Sequence, residues 1–185
     1  MTERNIEREH IPAAQELGIG VCPWSPLAGG LLSGKYKRDA NGGAGEGRLA
    51  EANNSPFARF TERNWKVVDA LTNVAKQIGR SAAQVALNWA VTQPGITSTI
   101  IGATKMAQLE DNLGALDFAI PAELRKQLND ASAPEVVHPY TFYTPPFQSM
   151  ISGGTSVEPW MPKQTYDRTV ADPPVRRRTA TASEK

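Results

Sequence analysis

A chain with one cysteine cannot close an internal disulfide, and Cys22 is the only cysteine in these 185 residues. The expected compartment is therefore the reducing cytosol. Charge of one sign is missing too: 20 Lys and Arg stand against 19 Asp and Glu, a net charge of +1. That balance gives no reason to expect a nucleic acid or an acidic membrane as partner. The triplet Arg176-Arg177-Arg178 lies in a polar terminus without interleaved aromatics, the pattern of solvated charge rather than of a nucleic-acid interface. No apolar run is long enough to span a bilayer, and the opening M-T-E-R-N-I-E-R-E-H is too charged for a signal peptide. What is there, 40% hydrophobic and 21% charged residues, describes a soluble globular protein of about one domain.

The most informative stretch runs from Gly18 to Tyr36, G-I-G-V-C-P-W-S-P-L-A-G-G-L-L-S-G-K-Y. A short apolar run turns at Pro23 and Pro26 and continues through Gly29, Gly30 and Gly34 to Lys35. A strand feeding a loop rich in glycine, hydroxyl and lysine is how α/β proteins offer backbone N–H groups to a phosphate. A related pattern recurs at Thr99-Ile100-Ile101-Gly102-Ala103-Thr104-Lys105. Two such sites point to one anionic ligand gripped twice.

Taken in order, residues 5–17 read as a helix with Asn5 as N-cap, Ile11, Ala14 and Leu17 as its stripe and Gly18 as its stop, although Pro12 argues for a later start. Residues 19–24 follow as a strand, and Lys37 to Thr61 as a long loop holding Arg48. Thr61 caps a helix to about Ile78, and Gly79 ends it. Ser81 and Gln84 form a capping box for a helix to about Thr92 that is apolar almost all round and hence buried. A second strand is expected at Thr97–Ile101, then a helix with Met106, Leu109, Leu113 and Leu116 on one stripe, and another opened by Pro121. Beyond Ser132 regularity fades into the aromatic segment H-P-Y-T-F-Y-T-P-P-F, and the polar end from about Val157 is expected to be disordered.

Two βα units cannot close a barrel and leave unpaired sheet edges, so these residues read as part of something larger. The stretch E-R-E-H-I-P-A-A-Q-E-L-G-I-G-V-C-P-W-S-P-L-A-G-G-L-L-S-G-K-Y closely resembles the seventh strand and its flanks in aldo-keto reductases. S-A-A-Q-V-A-L-N-W-A followed by I-I-G-A-T-K-M-A-Q-L-E-D-N-L-G-A resembles that family's last two helices and eighth strand. The likeness runs from about Thr2 to Phe147, with both motifs in the right order and spacing. It implies an α/β fold: the C-terminal portion of a (β/α)8 barrel over residues 1–150, about two βα units plus extra helices, and an irregular polar tail over 151–185.

The resemblance further implies reduction of a small-molecule carbonyl with NADPH, without metal, at the C-terminal ends of the strands. It puts Trp24 against the nicotinamide and Ser25, Pro26, Leu27, Ala28 and Gly29 round the pyrophosphate, with Lys35 reaching a phosphate oxygen and Arg48 closing over the cofactor. Gly102, Ala103, Thr104 and Lys105 would hold the adenosine 2′-phosphate, and Gln108, Asp111 and Asn112 match the adenine side. Asp111 stands where many relatives carry Glu, which shortens its reach. Otherwise these three are simply residues of a solvated helix face. The family's Asp, Tyr, Lys and His tetrad has no counterpart here, since neither His10 nor His138 matches it, so no catalytic residue is assigned. The alternative function is a non-catalytic NADP-binding or interaction module that completes a barrel with a complementary N-terminal half. The isolated piece is expected to be inactive and, as a broken piece of a longer reductase, to show no NADPH binding.

Overall fold

The computed structural model describes residues 1–39, 45, 47, 49 and 60–155. Its longest element is helix α2, Glu62–Ile78, and its limits follow from local chemistry. Thr61 is extended and its hydroxyl accepts the Asn64 N–H at 3.2 Å, which satisfies one of the orphan donors of the first turn. Trp65, Val67, Val68, Leu71, Val74 and Ala75 recur at helical spacing and are all buried. Gly79, at φ 65°, ends the helix, and the Arg80 N–H returns to the Ala75 carbonyl at 3.0 Å.

Helix α3, Ala82–Val91, starts at the expected capping box: Ser81 Oγ accepts the Gln84 N–H at 3.1 Å, and the Ser81 N–H donates to Gln84 Oε1 at 3.3 Å. It is buried along Ala83, Val85, Ala86, Leu87, Asn88 and Trp89. Asn88 Nδ2 donates to the carbonyls of Ala115 and Phe118 at 2.9 and 2.7 Å, which ties down the 3-10 turn Gly114–Leu116. Two further helices, α4 (Met106–Leu113) and α5 (Ala122–Ala131), complete the layer. Helix α5 packs on α2 through buried Leu128, and Trp89 Nε1 joins it to α3 with a 2.8 Å bond to Asn129 Oδ1. Among the described residues no helix is long and apolar enough to cross a membrane.

The N-terminal helix differs from expectation. A 3-10 turn, Asn5–Glu7, precedes α1, His10–Glu16, and no side chain caps either piece. Pro12 falls within the first turn of α1, where its missing N–H has no intrahelical partner to lose. Gly18 does stop the helix: it stands at φ 66°, and the Ile19 N–H reaches the Ala14 carbonyl at 2.7 Å.

The two expected strands are the main correction. Residues 21–24 and 96–100 do lie parallel, but they meet only at two isolated bridges, Val21 with Ile96 and Trp24 with Ile100. The Thr97 N–H donates to the Val21 carbonyl at 2.9 Å and the Ile100 N–H to Pro23 at 3.0 Å. A regular ladder fails for two local reasons: Pro23 has no N–H to give, and the Val21 N–H is taken by Thr97 Oγ1 at 3.1 Å. The α4 stripe is corrected as well. Met106 and Leu113 are 70% and 52% exposed, and the helix ends before Leu116, itself exposed. The aromatic segment, expected to be irregular, folds into a 3-10 turn, Tyr140–Tyr143, and a short helix α6, Pro145–Ile151, with Phe142 edge-on to Phe147 at 5.4 Å. The loop at 37–61 and the polar tail fall mainly outside the described residues.

The core sets the first stability predictions. Leu71 is fully buried, so Leu71→Ala should cost about 2–5 kcal/mol of unfolding free energy in urea denaturation. Ser81→Ala, which removes the cap and the hydroxyl's bond to Asp111, should cost at least as much as a lost cap, about 0.5–2 kcal/mol, in the same measurement.

Candidate functional site

Because residues 21–24 and 96–100 run parallel, the loops that follow them leave from the same edge. The first loop is left-handed to an unusual degree: Ser25, Ala28, Gly29 and Gly30 stand at φ 53°, 50°, 68° and 97°. For Ser25 and Ala28 this conformation costs on the order of 1–2 kcal/mol each, and it persists only where the surroundings impose it. Here the Ala28 N–H donates to the Ser25 carbonyl and the Gly30 N–H to Leu27, both at 2.9 Å, while Leu31 and Leu32 are sunk in the core. Leu27 at φ −94° followed by Ala28 at φ 50° is the alternation in which neighbouring N–H groups converge on an anion.

Trp24 is 71% exposed. With Ser25 and Pro26 it lines one side of a cleft of about 490 Å³ whose other walls include Arg4, Glu7, Ile11 and Trp89. Lys35 is exposed and lies back across the loop: its Nζ is 5.1 Å from the Tyr36 ring centroid, and its Cε is 2.8 Å from where a Cβ on Gly30 would stand. Arg48 lies outside the described residues.

The second loop is built differently. Gly102, Ala103, Thr104 and Lys105 are all exposed, with Lys105 at the N-cap of α4 and Ala103, Thr104 and Lys105 lining a shallow hollow of about 200 Å³. Gln108 does not point away as a free adenine contact. Its Oε1 accepts both the Thr104 N–H and the Thr104 hydroxyl, at 3.0 and 3.1 Å, and closes the turn. Asp111 Oδ2 accepts the Ser81 hydroxyl at 2.9 Å, which joins α4 to the cap of α3. Asn112 is buried. The structure therefore brings Trp24 to Gly29 and Gly102 to Lys105 to one edge, and it engages Gln108 and Asp111 with protein partners. Converging N–H groups, two lysines and an exposed indole ring form a donor set that suits a dinucleotide phosphate.

One residue of this region escapes the sequence reading: Leu49, which is buried and whose N–H donates to the hydroxyl of Tyr36 at 3.0 Å, while Tyr36 is buried as the loop-packing residue that the resemblance implies. Leu49 is the one large apolar side chain between Tyr36 and Phe57, a signal that was available in the sequence.

The aldo/keto reductase family model matches residues 1–133. The chain is 35% identical over 130 residues to the uncharacterized oxidoreductase YrpG of Bacillus subtilis, covering 70% of this chain and 37% of that protein. It is 33% identical over 116 residues to a probable voltage-gated potassium channel subunit beta of Oryza sativa subsp. japonica, covering 63% and 35%. It is 37% identical over 107 residues to the L-glyceraldehyde 3-phosphate reductase of Escherichia coli, covering 56% and 30%. The chain spans about a third of the length of these curated relatives. With a family match over more than half its residues, and with both motifs inside that match, this chain belongs to the aldo/keto reductase family.

Proposed function

We propose that this chain is the NADP(H)-gripping C-terminal portion of a (β/α)8 reductase that interconverts carbonyl and alcohol groups. The observation that supports it most is the parallel pairing that carries two phosphate-suited loops to one edge. Trp24 offers its exposed face to the nicotinamide, and the backbone of Ser25 to Gly29 with Lys35 receives the pyrophosphate. Gly102, Ala103, Thr104 and Lys105 receive the 2′-phosphate, and Arg48 adds charge from the intervening loop. Gln108 serves this reading by holding the Thr104 turn, and Asp111 by holding α4 against Ser81, rather than by reaching the adenine directly. The bound cofactor supplies hydride, while proton transfer to the carbonyl oxygen belongs to groups for which no residue here is assigned.

A second observation favours the barrel-completing module as a compatible reading. Ile19, just before one paired segment, and Ile100, at the end of the other, are 58% and 57% exposed, apolar surface that further strands of a barrel would cover. The buried layer of α2, α3 and α5 also alters the expectation for the isolated chain: it rests on helix packing rather than on the open edges, so the loops have a folded base.

NADPH titrated against the 185-residue chain should give saturable fluorescence change. Lys105→Glu, which exchanges a cation for an anion beside the phosphate, should weaken it about tenfold to hundredfold. A folded sample without saturable binding would sink the cofactor reading. The same chain should leave NADPH unoxidised when a carbonyl is added, and turnover by it alone would show that a proton donor has been overlooked.

A further inference from the structure

The left-handed run Ala28, Gly29, Gly30 is supported from behind by side chains, two of which, Tyr36 and Leu49, the cofactor reading does not use. Leu49 is 3% exposed, and its Cδ2 lies 3.0 Å from the position a Cβ on Gly29 would take, so the side chain presses on bare backbone. Gly30 is backed in the same way by Lys35 and by Tyr36, whose Cε2 is 3.6 Å from the corresponding position. Tyr36 is itself held: it is 3% exposed and edge-on to Phe60 at 5.5 Å. Its hydroxyl takes the buried Leu49 N–H at 3.0 Å, joining the two supports. Glycine is needed at both positions for the positive φ, and at Gly29 for the space as well.

We propose that Tyr36 and Leu49 are positioning residues for the cofactor loop. The Tyr36 hydroxyl holds the Leu49 backbone, the Leu49 side chain holds Gly29, and the backbone from Leu27 to Gly29 is thereby set before the phosphate arrives. The inference rests on the NADP(H) reading above. It adds that the left-handed backbone at Gly29 and Gly30 is held by two residues outside the assigned cofactor contacts. A pre-set loop lowers the cost of ordering on binding, and its loss shows chiefly as faster ligand release.

Tyr36→Phe removes one oxygen and keeps the ring, so it isolates the joint. Two quantities decide the matter: hydrogen exchange at the Leu49 amide in the cofactor-free chain, and the NADPH dissociation rate in stopped flow. Exchange should quicken about threefold to tenfold, as loss of one hydrogen bond implies, and NADPH should leave faster by a similar factor. Leu49→Ala should speed release further, and Leu49→Met, which keeps the bulk, should restore most of the wild-type rate. Unchanged exchange at Leu49 overturns the proposal, because the hydroxyl then holds nothing. Quicker exchange with unchanged NADPH release also overturns it, leaving the bond a matter of packing alone. A protected Leu49 amide in a wild-type chain that takes up no NADPH overturns the cofactor reading and this inference with it, and the intact protection separates that failure from the other two.

Discussion

Two backbone hydrogen bonds, Thr97 N–H to Val21 and Ile100 N–H to Pro23, align the two halves of the candidate site. Each is worth about 1 kcal/mol net, far too little to hold two loops in register by itself. The alignment is stable because both segments are tethered to packed helices at their other ends. Residues 21–24 follow α1 through the Gly18 stop, and residues 96–100 follow α3 through the turn at Pro94 and Gly95. Gly95 is at φ 77°, and a Cβ there would come within 2.5 Å of Ile11 Cγ2, so the turn after α3 lies directly on α1. That contact fixes the spacing that the two hydrogen bonds then complete.

The segment before α1 is secured by arginines as well as by burial of Met1 in the core. Arg4 forms a paired contact with Glu7, with both N–O distances at 2.7 Å, and donates to the Asn129 carbonyl and Ser132 Oγ at 3.0 Å. Its guanidinium also lies 5.3 Å from the Trp89 ring centroid. Arg63 of α2 reaches the Thr2 carbonyl at 2.8 Å and those of Ser132 and Ala133 at 3.2 and 3.3 Å. A planar fork with several fixed donors suits this task, because it can satisfy carbonyls from separate elements at once. The wall of the cleft opposite Trp24 is thus anchored to the end of α5, and the cleft keeps its shape without a continuous sheet behind it.

The candidate site shows a division of labour between strain and support. Ser25 and Ala28 hold left-handed backbone that L side chains rarely adopt, and to the loop's own turn hydrogen bonds is added packing from outside it: buried Leu31 and Leu32 ahead of it and Leu49 behind it. The second loop is secured locally, by Gln108 closing on Thr104. One half of the site therefore depends on long-range packing and the other on a single turn of helix.

That difference explains what could be read in advance. Thr61, Gly79, Ser81 with Gln84, and Gly18 announced their helix ends because a cap is satisfied within four residues, and any sequence carrying those groups carries the instruction. The family motifs were likewise contiguous strings, which is why both fall inside the match to residues 1–133, although that match stops short of the aromatic segment to which the resemblance was carried. The pairing of 21–24 with 96–100 was not local. Pro23 and the Thr97 hydroxyl decide how much ladder can form, and their effect exists only once the two segments meet. Met106 and Leu113 keep the helical period that the sequence shows, yet the period does not say whether anything covers that face. Gln108 and Asp111 share a helix face as their spacing requires, but Thr104 and Ser81 reach them only in the folded chain. The sequence by itself thus determined helices α2 and α3 with their caps, the stop at Gly18 and the family. Tertiary structure alone decided which polar groups are engaged, which apolar faces are covered and how Leu49 comes to stand behind Gly29, because each depends on contacts between residues far apart along the chain.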